Sequence, residues 1–136
     1  MAALDEFIDR ISDCVNGYHV SETHWDSKAN CVVQILNAAN AEDALLSLQR
    51  VFPDLWSRRE AADLPPYIAQ VVIGFGGFRA DQFVAASAEM EGIRAWVWWA
   101  LWSDDVTVSI RIGLLGNVTN EHFSALKRGL LPVEEA

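Results

Sequence analysis

Two cysteines and two histidines near the N-terminal end carry atoms that can bind a metal or attack a substrate. They are Cys14, His19, His24 and Cys31. Thiolate and imidazole are ligands that zinc prefers, and a cysteine beside an oriented histidine can act as a nucleophile. The spacing fits none of the common zinc patterns, and Cys14 falls on the apolar stripe of a predicted helix. We therefore expect no metal centre, no catalytic residue and no cofactor, and two reduced, buried cysteines.

A glycine-rich segment, Gly74-Phe75-Gly76-Gly77, is superficially similar to a phosphate-binding loop. In such loops a Lys-Ser/Thr pair follows the last glycine and contacts the phosphates and their magnesium ion. No such pair follows here, and no later strand carries an acidic residue at a convincing distance for a ribose. The segment is therefore predicted to be a turn.

Three aspartates, Asp5, Asp9 and Asp13, recur every four residues along the predicted first helix. Residues at this spacing share one face of a helix, so the three carboxylates form an acidic ridge on its solvent side. Like charges at this spacing destabilise a helix by roughly 0.2–0.5 kcal/mol per pair. An ordinary solvated face is one interpretation of the ridge, and a surface complementary to a basic partner is the other.

Two β-rich segments, residues 93–102 and 106–112, flank the polar turn Ser103-Asp104-Asp105 and predict an antiparallel hairpin. If Asp104 and Asp105 are the turn residues, the strand register follows from the pairing. It places Leu101 opposite Val108, Trp99 opposite Ile110 and Val97 opposite Ile112. This face of the hairpin is wholly apolar, and we expect it to be buried.

The other face of the hairpin, the Trp/Arg face, combines tryptophans with arginines. Its candidate partner-binding residues are Arg94, Trp96, Trp98, Trp102 and Arg111, with Trp98 opposite Arg111. Tryptophan and arginine are enriched at binding hot spots. Three interpretations stay open. Helices of the same chain bury the face, with Arg111 over the Trp98 ring as a cation–π contact, or a second copy covers it in a homodimer, or a partner protein binds it.

The elements around these residues follow from hydrophobic periodicity and from turn residues. Helices are predicted over residues 3–16, 41–52, 80–91 and 120–128, with Asn40 and Thr119 as N-caps and Gly129 ending the last helix. A first hairpin is predicted from residues 18–25 and 31–36. Residues 54–66 are expected to be irregular with one helical turn, and residues 68–75 fit a strand or a helix equally well.

These elements predict an α+β fold in a single domain, residues 1–136, with residues 130–136 as a frayed tail. The order of elements indicates two helix-hairpin-helix units, with antiparallel strands and with the helices packed on one face. The hydrophobic content of 51% over 136 residues is typical of a chain that buries a core without disulfides.

Composition excludes several classes of partner. The net charge of −9, from 19 acidic and 10 basic residues, opposes binding to a phosphate backbone, so we expect no nucleic acid partner. The first residues lack the basic start of a secretory signal, and the longest apolar run, residues 95–101, is far shorter than the roughly 20 residues of a membrane-spanning helix. We therefore expect a cytoplasmic protein with no membrane partner.

The charge, the acidic ridge, the aromatic hairpin and the lack of a catalytic cluster together indicate a non-enzymatic protein-binding module. The first hypothesis is a bacterial-type immunity protein, a small acidic inhibitor that neutralises a cognate basic toxin or effector domain. An acidic secretion chaperone is an alternative, because such chaperones also use a helix-hairpin-helix layout. Another alternative is a small-ligand-binding protein or enzyme, with Trp96, Trp98 and Arg111 lining a pocket beside the hairpin.

Overall fold

The computed structural model describes residues 2–79 and 81–131 of the chain. The helices are α1 (Ala2–Val15), α2 (Ala38–Gln49), α3 (Pro66–Gly74) and α4 (Asn120–Leu130), and a 3₁₀ helix spans Arg58–Asp63. The strands are β1 (Glu22–Asp26), β2 (Cys31–Asn37), β3 (Asp54–Ser57), β4 (Gln82–Ala86), β5 (Ile93–Leu101) and β6 (Thr107–Gly116). The predicted α+β class is confirmed. None of the helices in the described residues is long and apolar enough to cross a membrane.

The six strands form one antiparallel sheet in the order β1-β2-β6-β5-β4-β3. The β5–β6 hairpin lies at its centre in the predicted register, with Leu101 opposite Val108 and Trp98 opposite Arg111. Asp104 fixes the turn, because its carboxylate accepts hydrogen bonds from the backbone N–H groups of Val106 and Thr107. Alternate residues of a strand face opposite sides of the sheet, so this register decides which residues meet each helix layer.

Helices cover both faces of the sheet, which corrects the predicted packing on one face. On the α1 side, helices α1, α2 and α4 bury a core that includes Ile11, Leu48 and Leu126. On the α3 side, α3 buries Ile68 against the sheet in a second core. The physical reason is that β5 is buried through most of its length on both faces, and apolar side chains on each face need a cover.

The helix predicted over residues 80–91 is wrong. The described part of this segment contains β4, which pairs with β5 so that Phe83 lies opposite Trp99 and Val84 opposite Trp98. Its alanines favour a helix by propensity, but pairing in the sheet and burial on both faces override that preference. The second predicted helix-hairpin-helix unit is therefore not confirmed.

The connection between α2 and β4 has more structure than its sequence indicates. Residues 54–57 form the edge strand β3, and a capping box between Ser57 and Glu60 starts the 3₁₀ helix that follows. Residues 68–75, which fit either class of element, belong mainly to α3, with Pro66 in its first turn. Proline is favoured there because an N–H group in the first turn has no acceptor within the helix, so a residue without one loses no hydrogen bond.

Two helix ends differ from prediction. Asn37, not Asn40, caps α2 by accepting a hydrogen bond from the N–H of Ala39 at 2.9 Å. The last helix continues beyond Gly129, where α4 approaches α1 so closely that a Cβ would overlap Ile8. Residues 132–136 of the predicted frayed tail lie outside the described residues.

Candidate functional site

The Trp/Arg face is covered by α3 and the segment that follows it. Trp96 and Trp98 are only 5% and 3% exposed. Phe78 stacks on Trp98 with ring centroids 5.4 Å apart and planes inclined by 9°, and Phe75 packs edge-on against Trp96 at 5.5 Å. Of the three interpretations of this face, burial within the chain therefore describes these two tryptophans.

The ends of the Trp/Arg face differ from its buried centre. Trp102 lies just beyond β5 and is 46% exposed. Arg94 is partly buried, with its guanidinium 4.1 Å from the centroid of the Tyr67 ring, and its Nη1 donates a hydrogen bond to the carbonyl of Ser87 at 3.1 Å. Arg94 thus joins α3 to the residue that follows β4, and Trp102 alone among the five predicted residues exposes a large apolar surface.

Arg111 connects three parts of the α3 side. Its Nη1 donates to Asp26 Oδ2 at 2.7 Å and contacts the Cys31 sulfur at 3.8 Å. Its guanidinium lies 5.4 Å from the centroid of the Phe75 ring. The cation–π contact predicted between Arg111 and Trp98 is therefore corrected: the guanidinium packs on Phe75, a ring that itself lies 5.2 Å from Trp98 between centroids.

These contacts and burial shift the pKa values of two groups beside Arg111, the Asp26 carboxyl and the Cys31 thiol. The hydrogen bond from Arg111 stabilises the charged form of Asp26 and lowers the pKa of that carboxyl group. Burial raises the pKa of the Cys31 thiol to about 11, although the contact with Arg111 opposes the effect. A thiol protonated at neutral pH is a poor nucleophile, so Cys31 is not suited to catalysis.

A cleft remains open beside Trp96, between the β1–β2 turn and the C-terminal end of α3. Its volume is about 310 Å³. The lining includes Lys28 from the turn, Gln70 and Phe75 from α3 and the residue after it, and Trp96 from the floor. Neither Trp98 nor Arg111 lines this cleft, in contrast to the pocket expected from sequence.

The acidic ridge lies away from the Trp/Arg face. Asp5, Asp9 and Asp13 are exposed along α1, while the apolar residues of α1 enter the core on the opposite side of the sheet. The structure therefore brings the predicted residues together in two separate groups. The ridge contributes negative potential to the α1 side, and it shares no pocket with the tryptophans.

A second surface, the α2 groove, was not indicated by the sequence. It runs between α2 and the turn end of the β5–β6 hairpin and has a volume of about 330 Å³. Its apolar floor includes Leu45, Trp99 and Leu101, and its two acidic lining residues are Glu42 and Asp105. Two large apolar side chains outside this lining are also exposed, namely Leu46 on α2 and Val106 in the turn, each 56% exposed.

Trp99 is the central aromatic residue of the α2 groove. It contacts Phe83 with ring centroids 5.3 Å apart, and its ring also lines a small neighbouring pocket with Leu55 and Phe83. Its indole Nε1 is buried and has no hydrogen-bond partner among the residues that the structure describes. Such a donor is costly to bury, so the packing around Trp99 leaves a polar group unsatisfied beside an open apolar surface.

Sequence reasoning missed the α2 groove because it assigned the whole apolar face of the hairpin to the core. That expectation holds for Val97 and Ile110, which are 3% and 0% exposed. It is wrong for Trp99 and Leu101, which are only partly buried. The turn follows α2 by more than 50 residues, and the sequence gives no indication of this gap because the gap depends on where α2 crosses the sheet.

The metal-ligating residue types do not converge. Within residues 2–79 and 81–131, no group of three or more His, Cys, Asp and Glu side chains is placed to hold a metal ion. Cys14 and Cys31 are both free thiols. Comparison of the chain with protein-family models, curated proteins and solved structures gave no match.

Proposed function

We propose that the chain is a small acidic protein-binding module, an immunity-type inhibitor that masks a cognate basic toxin or effector domain. The α2 groove carries this proposal. Its floor of Leu45, Trp99 and Leu101 offers apolar contact area, and Glu42 and Asp105 place negative charge among its lining residues. Interfaces with a buried aromatic centre and a charged rim combine affinity with choice of partner.

The occupant that fits this groove is a segment of the partner with apolar side chains flanked by lysine or arginine. Apolar side chains would bury Trp99 and Leu45, while the basic side chains would pair with Glu42 and Asp105. Such a segment would supply the apolar contact area and the positive charge that complement the lining of the groove.

Long-range electrostatics favour the same class of partner. The net charge is −9, and the acidic ridge adds negative potential on the α1 side, where the groove also lies. Attraction between unlike charges accelerates association and rejects acidic competitors, and it weakens as salt screens the charges. We propose that the ridge steers the partner, and that the groove supplies the close contacts.

Co-expression with the product of the adjacent gene tests the proposal. We expect a complex that survives purification in about 50 mM salt and weakens at least tenfold in about 500 mM salt. We also expect the chain to suppress the activity or toxicity of that product. A complex that is insensitive to salt, or one that leaves the partner fully active, would overturn the inhibitor hypothesis. A complex restricted to an unfolded terminal segment of the partner would indicate the chaperone alternative instead.

Two pairs of variants locate the contact surface. Leu45→Asp places a charge on the floor of the α2 groove, and its control Ile73→Asp places the same charge on α3, where the side chain is 76% exposed. Glu42→Lys reverses a lining charge, and its control Glu121→Lys reverses an exposed charge on α4. We expect the groove variants to weaken the complex at least tenfold and the controls to change it less than threefold. Equal effects within each pair would show that the groove is not the contact surface.

A further inference from the structure

We propose that the cleft between the β1–β2 turn and the end of α3 binds a small planar aromatic molecule that carries a negative charge. The site is separate from the α2 groove, because it lies on the α3 side of the sheet. It is also independent of the proposed protein partner. The argument rests on the lining of the cleft, on the contacts that fix its walls and on the charge of Lys28.

The lining has the composition of a small-ligand site. Val71, Phe75 and Trp96 supply apolar and aromatic surface, and Lys28 and Gln70 supply the polar groups. Ligand pockets are typically apolar with a few polar groups that fix orientation. The volume of about 310 Å³ lies at the lower end of the usual range for such pockets, which suits a molecule of one or two rings.

One chain of contacts holds the two walls in place. Asp26 Oδ1 accepts hydrogen bonds from the N–H groups of Lys28 and Ala29, at 2.9 and 3.2 Å. Its other carboxylate oxygen binds Arg111, whose guanidinium packs against Phe75. The turn that carries Lys28 and the aromatic ring at the end of α3 are thus fixed through a single arginine. Such preorganisation reduces the ordering that binding would require.

The net charge at the cleft is positive. Lys28 is the charged residue among the described residues that line the cleft, and Asp26 and Arg111 behind it neutralise each other. The C-terminal end of α3 carries a partial negative charge of about half a unit, but the N–H groups of Phe75, Gly76 and Gly77 already bind its last carbonyls. The full charge of Lys28 therefore dominates, and it favours an anionic group on the ligand.

Indole-3-carboxylate is a suitable probe, and indole-3-carboxamide is its neutral counterpart of the same shape. We expect saturation-transfer NMR to show binding of the carboxylate with a Kd of about 1 mM. The carboxamide should bind roughly five- to tenfold more weakly, because it cannot pair with the ammonium group. Equal affinity for the two probes, or no saturation by the carboxylate at about 10 mM, would overturn the proposal.

Gly74→Leu tests the location of the site. Gly74 lines the cleft in the last turn of α3, and no atom of the described part of the chain lies within 4 Å of the position that a Cβ would take. Leucine is a better helix former than glycine, so the variant should fold while filling the cleft. We expect at least a tenfold loss of affinity for indole-3-carboxylate. Its control is Ile73→Ala at an exposed neighbouring position outside the lining, which should bind as the parent chain does.

Lys28→Gln tests the charge. The variant should bind the carboxylate and the carboxamide with equal affinity, because the ammonium group that distinguishes them is gone. Arg128→Gln removes an exposed charge from α4 and should preserve the difference between the probes. Retained discrimination in Lys28→Gln, or unchanged binding in Gly74→Leu, would place the probe elsewhere. None of these variants alters the α2 groove, so failure here leaves the protein-binding proposal standing.

Discussion

Trp96 packs its indole ring directly over Gly113, the residue opposite it on β6. A Cβ on Gly113 would overlap the ring, so the glycine is required by the space above it. The ring that occupies this space also forms the floor of the cleft and contacts Phe75. Gly113 therefore sets the depth at which the aromatic cluster of the α3 side sits on the sheet.

Gly113→Ala should destabilise the fold by roughly 1–3 kcal/mol, because the indole ring must move within a packed core. The measurement is the urea midpoint of unfolding, followed by circular dichroism. Gly74→Ala is the matched control, since a Cβ meets no atom there and alanine favours the helix. We expect that control to be neutral or slightly stabilising. Equal destabilisation by the two variants would show that the contact with Trp96 is not responsible.

Asp26→Asn should remove the ion pair with Arg111 and lower stability by about 1 kcal/mol at pH 7, a size typical of partly exposed pairs. The amide oxygen can still accept the hydrogen bonds from Lys28 and Ala29. The pKa of Asp26 is lowered by Arg111 in the folded state. The contribution of the carboxylate is therefore present above its unfolded pKa of about 3.9, and it disappears as pH falls through the lower folded pKa.

Urea unfolding of both chains at several pH values checks this dependence. We expect the difference between them to be constant from about pH 7 to pH 5 and to vanish towards about pH 2. A difference that persists at the acid end would mean that the carboxylate charge is not its source. Other carboxylates titrate in both chains alike, so the comparison isolates Asp26.

Sequence patterns predicted the elements in which local preference and tertiary packing agree. The β5–β6 hairpin is one, because its turn residue Asp104 binds the backbone locally and its alternating residues pair as expected. The segment that contains β4 is the opposite case. It is buried on both faces, so no polar alternation marks it as a strand, and its alanines point to a helix. Its pairing with β3 and β5 makes it a strand.

The candidate surfaces were harder to predict, because each depends on residues far apart in the chain. Asp26 and Arg111 are separated by 85 positions, and neither shows a pattern that indicates the other. Burial of Trp96 and Trp98 follows from α3, whose class the hydrophobic period alone leaves open. By contrast, the acidic ridge follows from helical spacing alone, and its three aspartates are exposed as expected.

The two cysteines should differ in their reaction with iodoacetamide. Cys31 is fully buried with a pKa raised to about 11, whereas Cys14 is partly exposed and its pKa is raised to a smaller extent by burial. Because the thiolate is the reactive form, we expect Cys14 to be labelled first at pH 7.5 and Cys31 only as the chain opens. Peptide mass spectrometry measures both rates. Equal labelling rates of Cys14 and Cys31 in the folded chain would contradict the burial of Cys31. As a control, the two cysteines should react at equal rates once the chain is unfolded in urea.

Gly129 tests the contact between α1 and α4. A Cβ there would overlap the Cγ2 methyl group of Ile8, so Gly129→Ala should destabilise the fold although alanine favours helices. Ile8→Ala leaves a cavity at a position that is 3% exposed and should cost roughly 2–5 kcal/mol.

The double variant should be more stable than the sum of the two effects predicts, because the new methyl group enters the space that Ile8 leaves. Urea unfolding of the four chains gives the coupling free energy, which we expect to be about 1 kcal/mol or more. Additive effects would show that α4 moves away from α1 instead of keeping this close approach.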